Sequence, residues 1–184
     1  MVSAVVLITC ERNQIVRVAE QLAAVVILPL ILLIVGQSMG GSLALALAAR
    51  GTCRAVVAIN PPAPDPAAVD GLPWRPSRGP EGVDGPPLAD GEEGYTRLPI
   101  DALLQMAQGS LLTVSTAVTV PLLLVTSALD EVVDPFSADA VAAGVTGPVT
   151  RLRLERSGHV ATLGPECHLL VAAVIRFVAT PATP

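Results

Sequence analysis

Apolar residues fall in short blocks along the chain, and the blocks alternate between two periods. Residues 3–9 (SAVVLIT) form a short β-branched run and predict a buried strand. Residues 12–24 place Ile15, Val16, Val18, Ala19 and Leu22 on a partial stripe, which predicts a helix. Residues 22–35 are then apolar or Pro without a break, and the Val/Ile-rich end at 31–35 predicts a strand. Small residues at 40–50 (GGSLALALAAR) predict a helix closed by Gly51. Residues 54–60 (RAVVAIN) read as a further strand.

The pattern then breaks. Sixteen of the 39 residues from 61 to 99 are Pro or Gly, and seven are acidic. Such a stretch can bury little and is expected to be a long surface excursion, a lid or a partly disordered loop. Regular pattern returns as a helix at 100–112 and a buried strand at 118–127, where Pro121 is tolerated near the start. A helix at 137–143 ended by Gly144, an alternating strand at 149–154 and a helix at 166–179 opened by Pro165 complete the series. Strands alternating with helices imply an α/β fold with a mainly parallel sheet. The 184 residues suggest one domain over 1–184, with 61–99 as an insertion.

Composition narrows the function. Aromatics are only Trp74, Tyr95, Phe136 and Phe177, so stacking platforms for single-stranded nucleic acid are missing. A net charge of −5 argues against binding a phosphate backbone. All eleven basic residues are Arg, which excludes a Lys nucleophile, a Schiff-base lysine and a P-loop lysine. Cys10, Cys53 and Cys167 stand far apart with no metal-ligand spacing, and read as free thiols of a reducing, cytoplasmic compartment. With only His159 and His168 beside them, no metal or other cofactor is expected. The fourteen-residue run at 22–35 is shorter than the roughly 18–20 residues a membrane span needs, so a membrane role is not expected.

Gly36-Gln37-Ser38-Met39-Gly40 is a G-x-S-x-G motif between a predicted strand and a predicted helix. That context fits a nucleophile elbow, in which a sharp turn exposes Ser38 and the helix N-terminus aims N–H groups at a developing oxyanion. A serine needs a base to take its proton. His159 lies in a loop just after the strand at 149–154, whereas His168 falls inside a predicted helix. The imidazole in turn needs a carboxylate. Asp130 stands at the carboxyl end of the strand at 118–127, with Glu131 and Asp134 as rivals. Asp134 precedes Pro135 and also suits the turn that opens the next helix. Ser38, Asp130 and His159 follow the chain order of an α/β-hydrolase triad.

Three stretches, VGQSMGGSLALALAARG, VTSALDEVVDPFSAD and RSGHVATLGPE, carry a family likeness. The sequence resembles α/β-hydrolase-fold carboxylesterases of the small bacterial carboxylesterase and monoacylglycerol lipase group. The resemblance implies Ser38 as nucleophile, His159 as base and Asp130 as acid, acting on a small-molecule carboxylic ester. It also implies an oxyanion hole from the Met39 N–H and from the segment after the first strand, which begins here at Cys10. In the family that segment is His-Gly-aromatic; here it reads Cys10-Glu11-Arg12-Asn13. The resemblance further implies an abbreviated N-terminal part, because only 37 residues precede Ser38 and no crossover fits between strands at 25–28 and 31–35. A cap is implied at 61–99. Two other readings compete with an active esterase. One is a weakly active or non-catalytic hydrolase-like protein, or a truncated fragment, without a complete oxyanion hole; the other is a protein anchored to membrane through 22–35. With strands missing, residues 22–35 are expected to be partly over-exposed and to favour self-association.

Overall fold

The apolar blocks pair, in a computed structural model, as one parallel sheet. Described are residues 4–8, 32–51, 53–63, 82–84, 97–99, 105 and 118–179. Strands β1 (Ala4–Ile8), β2 (Leu32–Gln37), β3 (Ala55–Ile59), β6 (Leu122–Ser127) and β7 (Val149–Leu154) lie in the order β1-β2-β3-β6-β7. Every neighbouring pair among these five is parallel. Strands β4 (Gly82–Asp84) and β5 (Arg97–Pro99) form a separate antiparallel pair within the Pro/Gly-rich stretch, an element its composition conceals.

Helix α1 (Met39–Ala49) joins β2 to β3, and α2 (Phe136–Ala143) joins β6 to β7. Both connections advance the same way across the sheet. Right-handed crossovers therefore put both helices on one face. The packing agrees: Ala44, Leu45 and Ala48 of α1 and Val141 of α2 meet Ile34, Val56, Ala58, Leu122 and Leu124. Helix α3 (Cys167–Ala179) follows the last strand and covers the opposite face. There Leu170 joins Leu33, Val57, Ile59, Leu123, Val125 and Leu154. The period-two alternation sends successive residues of each strand to different cores. Each fully buried Leu or Ile contributes roughly 1.5–3 kcal/mol.

Several expectations change. The strand expected at 118–127 begins only at Leu122; before it, Val118 makes an isolated bridge to Val145. Pro121 has no N–H for a ladder, although its carbonyl accepts a bond of 3.0 Å from the Val56 N–H. The expected over-exposure of 22–35 does not hold for its described part. Leu33 and Ile34 are 5% and 2% exposed, because β2 is paired on both sides and covered on both faces. β1 pairs directly with β2, Ala4 opposite Leu32 and Ile8 opposite Gly36. The helix expected at 12–24, the strand at 25–28 and Cys10 lie outside the described residues, as does the helix at 100–112 apart from Gln105. Among the described residues, no helix is long and apolar enough to cross a membrane.

Candidate active site

Because the sheet is parallel, the carboxyl ends of β2, β3, β6 and β7 share one edge. Functional loops of α/β sheets gather at that edge. Ser38 follows β2 there, with φ 55° and ψ −127°. Left-handed φ is uncommon for a residue with a side chain and costs of order 1–3 kcal/mol. The turn is held by the Ser38 N–H donating to the Ile59 carbonyl (2.8 Å) and by the Gly41 N–H donating to the Ser38 carbonyl (2.8 Å). Gly36 explains the motif's first glycine: a Cβ there would lie 2.0 Å from the Gly40 carbonyl oxygen. Gly36→Ala is therefore expected to lower stability by about 3 kcal/mol, read from the denaturant midpoint, because backbone rather than a mobile side chain must move.

The loop after β6 turns at Asp130. One carboxylate oxygen, Oδ1, accepts the N–H groups of Val132 (2.8 Å) and Val133 (3.0 Å). The loop after β7 brings His159 to the same carboxylate, its Nδ1 3.0 Å from Oδ1 and 2.9 Å from Oδ2. The Asp130 side chain is 6% exposed and that of His159 16%. Burial pushes the Asp130 carboxyl up, but the hydrogen bonds from His159, Val133 and Val132 and the imidazole's charge outweigh it. The carboxyl is held below its ordinary 3.8. A carboxylate fixed on Nδ1 leaves Nε2 free to accept a proton.

Five strands, a strained serine after β2 and a carboxylate-paired histidine after β7 bear comparison with solved proteins. A structure from the work on LipS and LipT, two metagenome-derived lipolytic enzymes, is similar at 24% identity and a TM-score of 0.73, over 89% of this chain and 70% of its own. Mouse alpha/beta hydrolase domain-containing protein 10 is similar at 21% identity and a TM-score of 0.68, over 91% and 70%. The monoacylglycerol lipase of Paleococcus ferrophilus is similar at 16% identity and a TM-score of 0.66, over 90% and 75%. This chain has the α/β-hydrolase fold. No family model matches the sequence, and neither does any curated protein sequence.

Within this α/β-hydrolase fold the rival side chains go elsewhere. Glu131 is exposed. Asp134 accepts the Phe136 N–H (2.8 Å) and opens α2, the turn role its place before Pro135 suggests. His168 is exposed on the first turn of α3. Met39 starts α1, where N–H groups have no intrahelical acceptor. Burial pushes the Cys53 thiol up to about 11, partly offset by its backbone hydrogen bond with Ala55, so it stays un-ionised and inert near neutral pH. Among the described residues, no three His, Cys, Asp or Glu side chains are grouped to hold a metal ion.

Two residues that the sequence does not mark out organise the site of this hydrolase fold. Glu166, 5% exposed, reaches back to the start of the histidine loop. It accepts the N–H groups of Arg156 (2.7 Å) and Glu155 (3.3 Å) and the Ser157 hydroxyl (3.0 Å). The Arg156 N–H does most to hold its carboxyl below the ordinary 4.5; burial opposes, and Ser157, Glu155 and the Arg156 charge add to the lowering. Asn60, 3% exposed, ends β3 and bonds both neighbouring loops. A polar amide between an apolar strand and Pro61-Pro62 is the only hint of it in the sequence.

The two depressed carboxyls set a pH dependence. Each has a folded pKa below its unfolded one, so its stabilisation is present above the unfolded value and is lost as pH falls through the folded value. The melting temperature is expected to hold from neutrality to about pH 5 and to fall below about pH 4. Asp130→Asn with Glu166→Gln should flatten that acid slope in thermal unfolding followed by circular dichroism.

Proposed function

We propose that this chain is a serine hydrolase of carboxylic esters, with short-chain acyl or monoacylglycerol esters as the substrate class. The observation that carries the reading is Ser38, held at φ 55° between a strand and a helix on the same sheet edge as the Asp130–His159 pair. Gln37, one residue before Ser38, accepts the Thr162 N–H (3.3 Å) and hydroxyl (3.1 Å), which ties the serine turn to the histidine loop. In this reading the Ser38 hydroxyl attacks the ester carbonyl while His159 Nε2 takes its proton. The tetrahedral oxyanion lies at the N-terminus of α1, where the Met39 N–H donates to it. Collapse gives the alcohol its proton from His159 and leaves an acyl-Ser38 ester. Water, deprotonated by His159, then attacks the acyl carbon; the acyl–Ser38 bond breaks, the acid leaves and His159 returns the proton to the Ser38 oxygen. Similarity to a lipolytic enzyme and to a monoacylglycerol lipase supports the substrate class.

A fluorophosphonate, which phosphonylates activated serines with loss of fluoride, tests the reading. Peptide mapping should find the adduct on Ser38. An unlabelled protein, or an adduct elsewhere, defeats it.

A second reading, weak or absent turnover, rests on Cys10-Glu11-Arg12-Asn13, which lacks the Gly that lets backbone approach a substrate oxygen closely. Loss of one oxyanion donor costs about 10²–10³ in rate. Turnover of a short-chain aryl ester within the usual range of about 1–10³ s⁻¹ overturns this second reading.

A further inference from the structure

We propose that Asn60 is a positioning residue for His159: its side-chain amide holds the histidine loop against the ends of β3 and β6. The proposal rests on the hydrolase reading for its kinetic consequence and on geometry for its substance. The Nδ2 group donates to the His159 carbonyl (2.8 Å) and to Ser127 Oγ (3.0 Å), with the Gly158 carbonyl at 3.5 Å. The Oδ1 atom accepts the Ser127 N–H (2.9 Å), and the backbone N–H of Asn60 donates to the Val125 carbonyl (2.9 Å). One side chain thus spans three strand ends. Its carbonyl-side atom reads the end of β6, three residues before Asp130; its amide reads the residue that carries the imidazole.

The backbone at Asn60 shows the same fit. Its φ of 46° is in the left-handed region, where Asn is among the few side-chain-bearing residues found readily. The Ile59 carbonyl, one residue earlier, accepts the Ser38 N–H. The corner at 59–60 therefore touches the serine turn through its main chain and the histidine loop through its side chain. Asp130 orients the ring through Nδ1, but it leaves the main chain of His159 unheld. The Asn60 amide supplies that second constraint at a site that is almost closed to water, where the bond is not exchanged for one to solvent. Displacement of a catalytic group by about 1 Å costs as much as about 10²-fold in rate.

Two variants test this. Asn60→Asp is isosteric: one oxygen still accepts the Ser127 N–H and the other accepts the Ser127 hydroxyl, but nothing donates to the His159 carbonyl. Asn60→Gly fits the left-handed φ and removes the side chain entirely. Active sites are counted by exhaustive fluorophosphonate labelling, and kcat is expressed per labelled site. A residue that only stabilises the fold lowers the count and leaves kcat per site unchanged. A positioning residue lowers kcat per site with KM kept. The expected fall is about 10- to 100-fold in each variant, with KM within about twofold. A fall below about fivefold in Asn60→Asp, or an effect carried by KM alone, overturns the proposal. Should Asn60→Asp fail to fold, the same threshold applies to Asn60→Gly.

A readout independent of turnover separates this from failure of the hydrolase reading. The proton on His159 Nδ1, hydrogen-bonded to Asp130, gives a far-downfield NMR resonance, assigned by its loss in His159→Gln. It should broaden or vanish in both Asn60 variants. Persistence of a sharp resonance in both overturns the proposal, whether or not the wild-type protein reacts with a fluorophosphonate. Absence of labelling in the wild-type protein defeats the hydrolase reading alone.

Discussion

Ser38→Ala will lower ester turnover by about 10⁴-fold or more and will abolish fluorophosphonate labelling, while the protein stays folded. The substitution removes one oxygen atom, the proposed nucleophile. Among the described residues, the serines nearest in sequence to the histidine and carboxylate loops are spent elsewhere: the Ser127 hydroxyl is engaged by Asn60, and the Ser157 hydroxyl donates to Glu166 inside the protein. Alanine also inherits the φ of 55° without a new contact, so strain at the turn is about the same as with serine. Stability should therefore change by no more than about 0.5–1 kcal/mol, which circular dichroism melting can check. Residual labelling at another serine, or turnover within tenfold of wild type, contradicts the assignment. The comparison is best made with a short-chain aryl ester, whose good leaving group keeps a weak enzyme measurable.

His159→Ala is the second large effect. Without an imidazole the Ser38 hydroxyl is a poor nucleophile at neutral pH, and the loss in kcat is expected to be about as large as that of Ser38→Ala. Effects in such a unit are not additive, so the double variant should be little worse than either single one. His168→Ala provides the control, since His168 is exposed on α3. It should leave kcat within about twofold of wild type, as for a surface substitution away from the site. A larger loss from His168→Ala than from His159→Ala would transfer the base to α3. Asp130 is left carrying a buried carboxylate without its ring partner in His159→Ala, so this variant also loses stability, unlike Ser38→Ala. The two variants thus separate by melting temperature even where their kinetics coincide.

Much of this architecture is local in origin and hence legible in the chain. A continuous apolar run marks β3 nearly to the residue, because a strand between two cores must be apolar on both sides, and the alternation of Leu with Arg marks β7 at the sheet's end. The small residues after Gly36-Gln37-Ser38 marked the turn into α1, because only Gly at position 36 leaves room for the Gly40 carbonyl. Where a single residue decides, the hydrophobic pattern misleads. Pro121 delays β6 to Leu122, since a tertiary amide without N–H cannot enter the ladder from that side.

The site divides in the same way. Ser38 and the position of each candidate loop follow from sequence, because an elbow and a strand end are short-range features. The pairing of His159 with Asp130 rather than with Asp134 or Glu131 is visible only in the structure. It depends on a ring 29 residues away and on which carboxylate the Val132 and Val133 N–H groups and the turn into α2 leave available. Asn60 and Glu166 depend on tertiary structure still more completely. Their partners are 67 and 99 residues distant for Asn60, and the Glu166 carboxylate is spent on a preceding loop rather than on its own helix. A hydrophobic period reports where burial occurs, and it carries no record of which buried polar group will meet which. Direct pairing of β1 with β2 belongs to the same class, because register and neighbour are settled only when both faces of β2 are covered. Sequence alone thus determined the alternation of strands and helices and the glycine-flanked turn. Tertiary structure decided the strand order, the partner of the histidine and the amide that holds its loop, since long-range hydrogen bonds form only between groups that the folded sheet has already brought together.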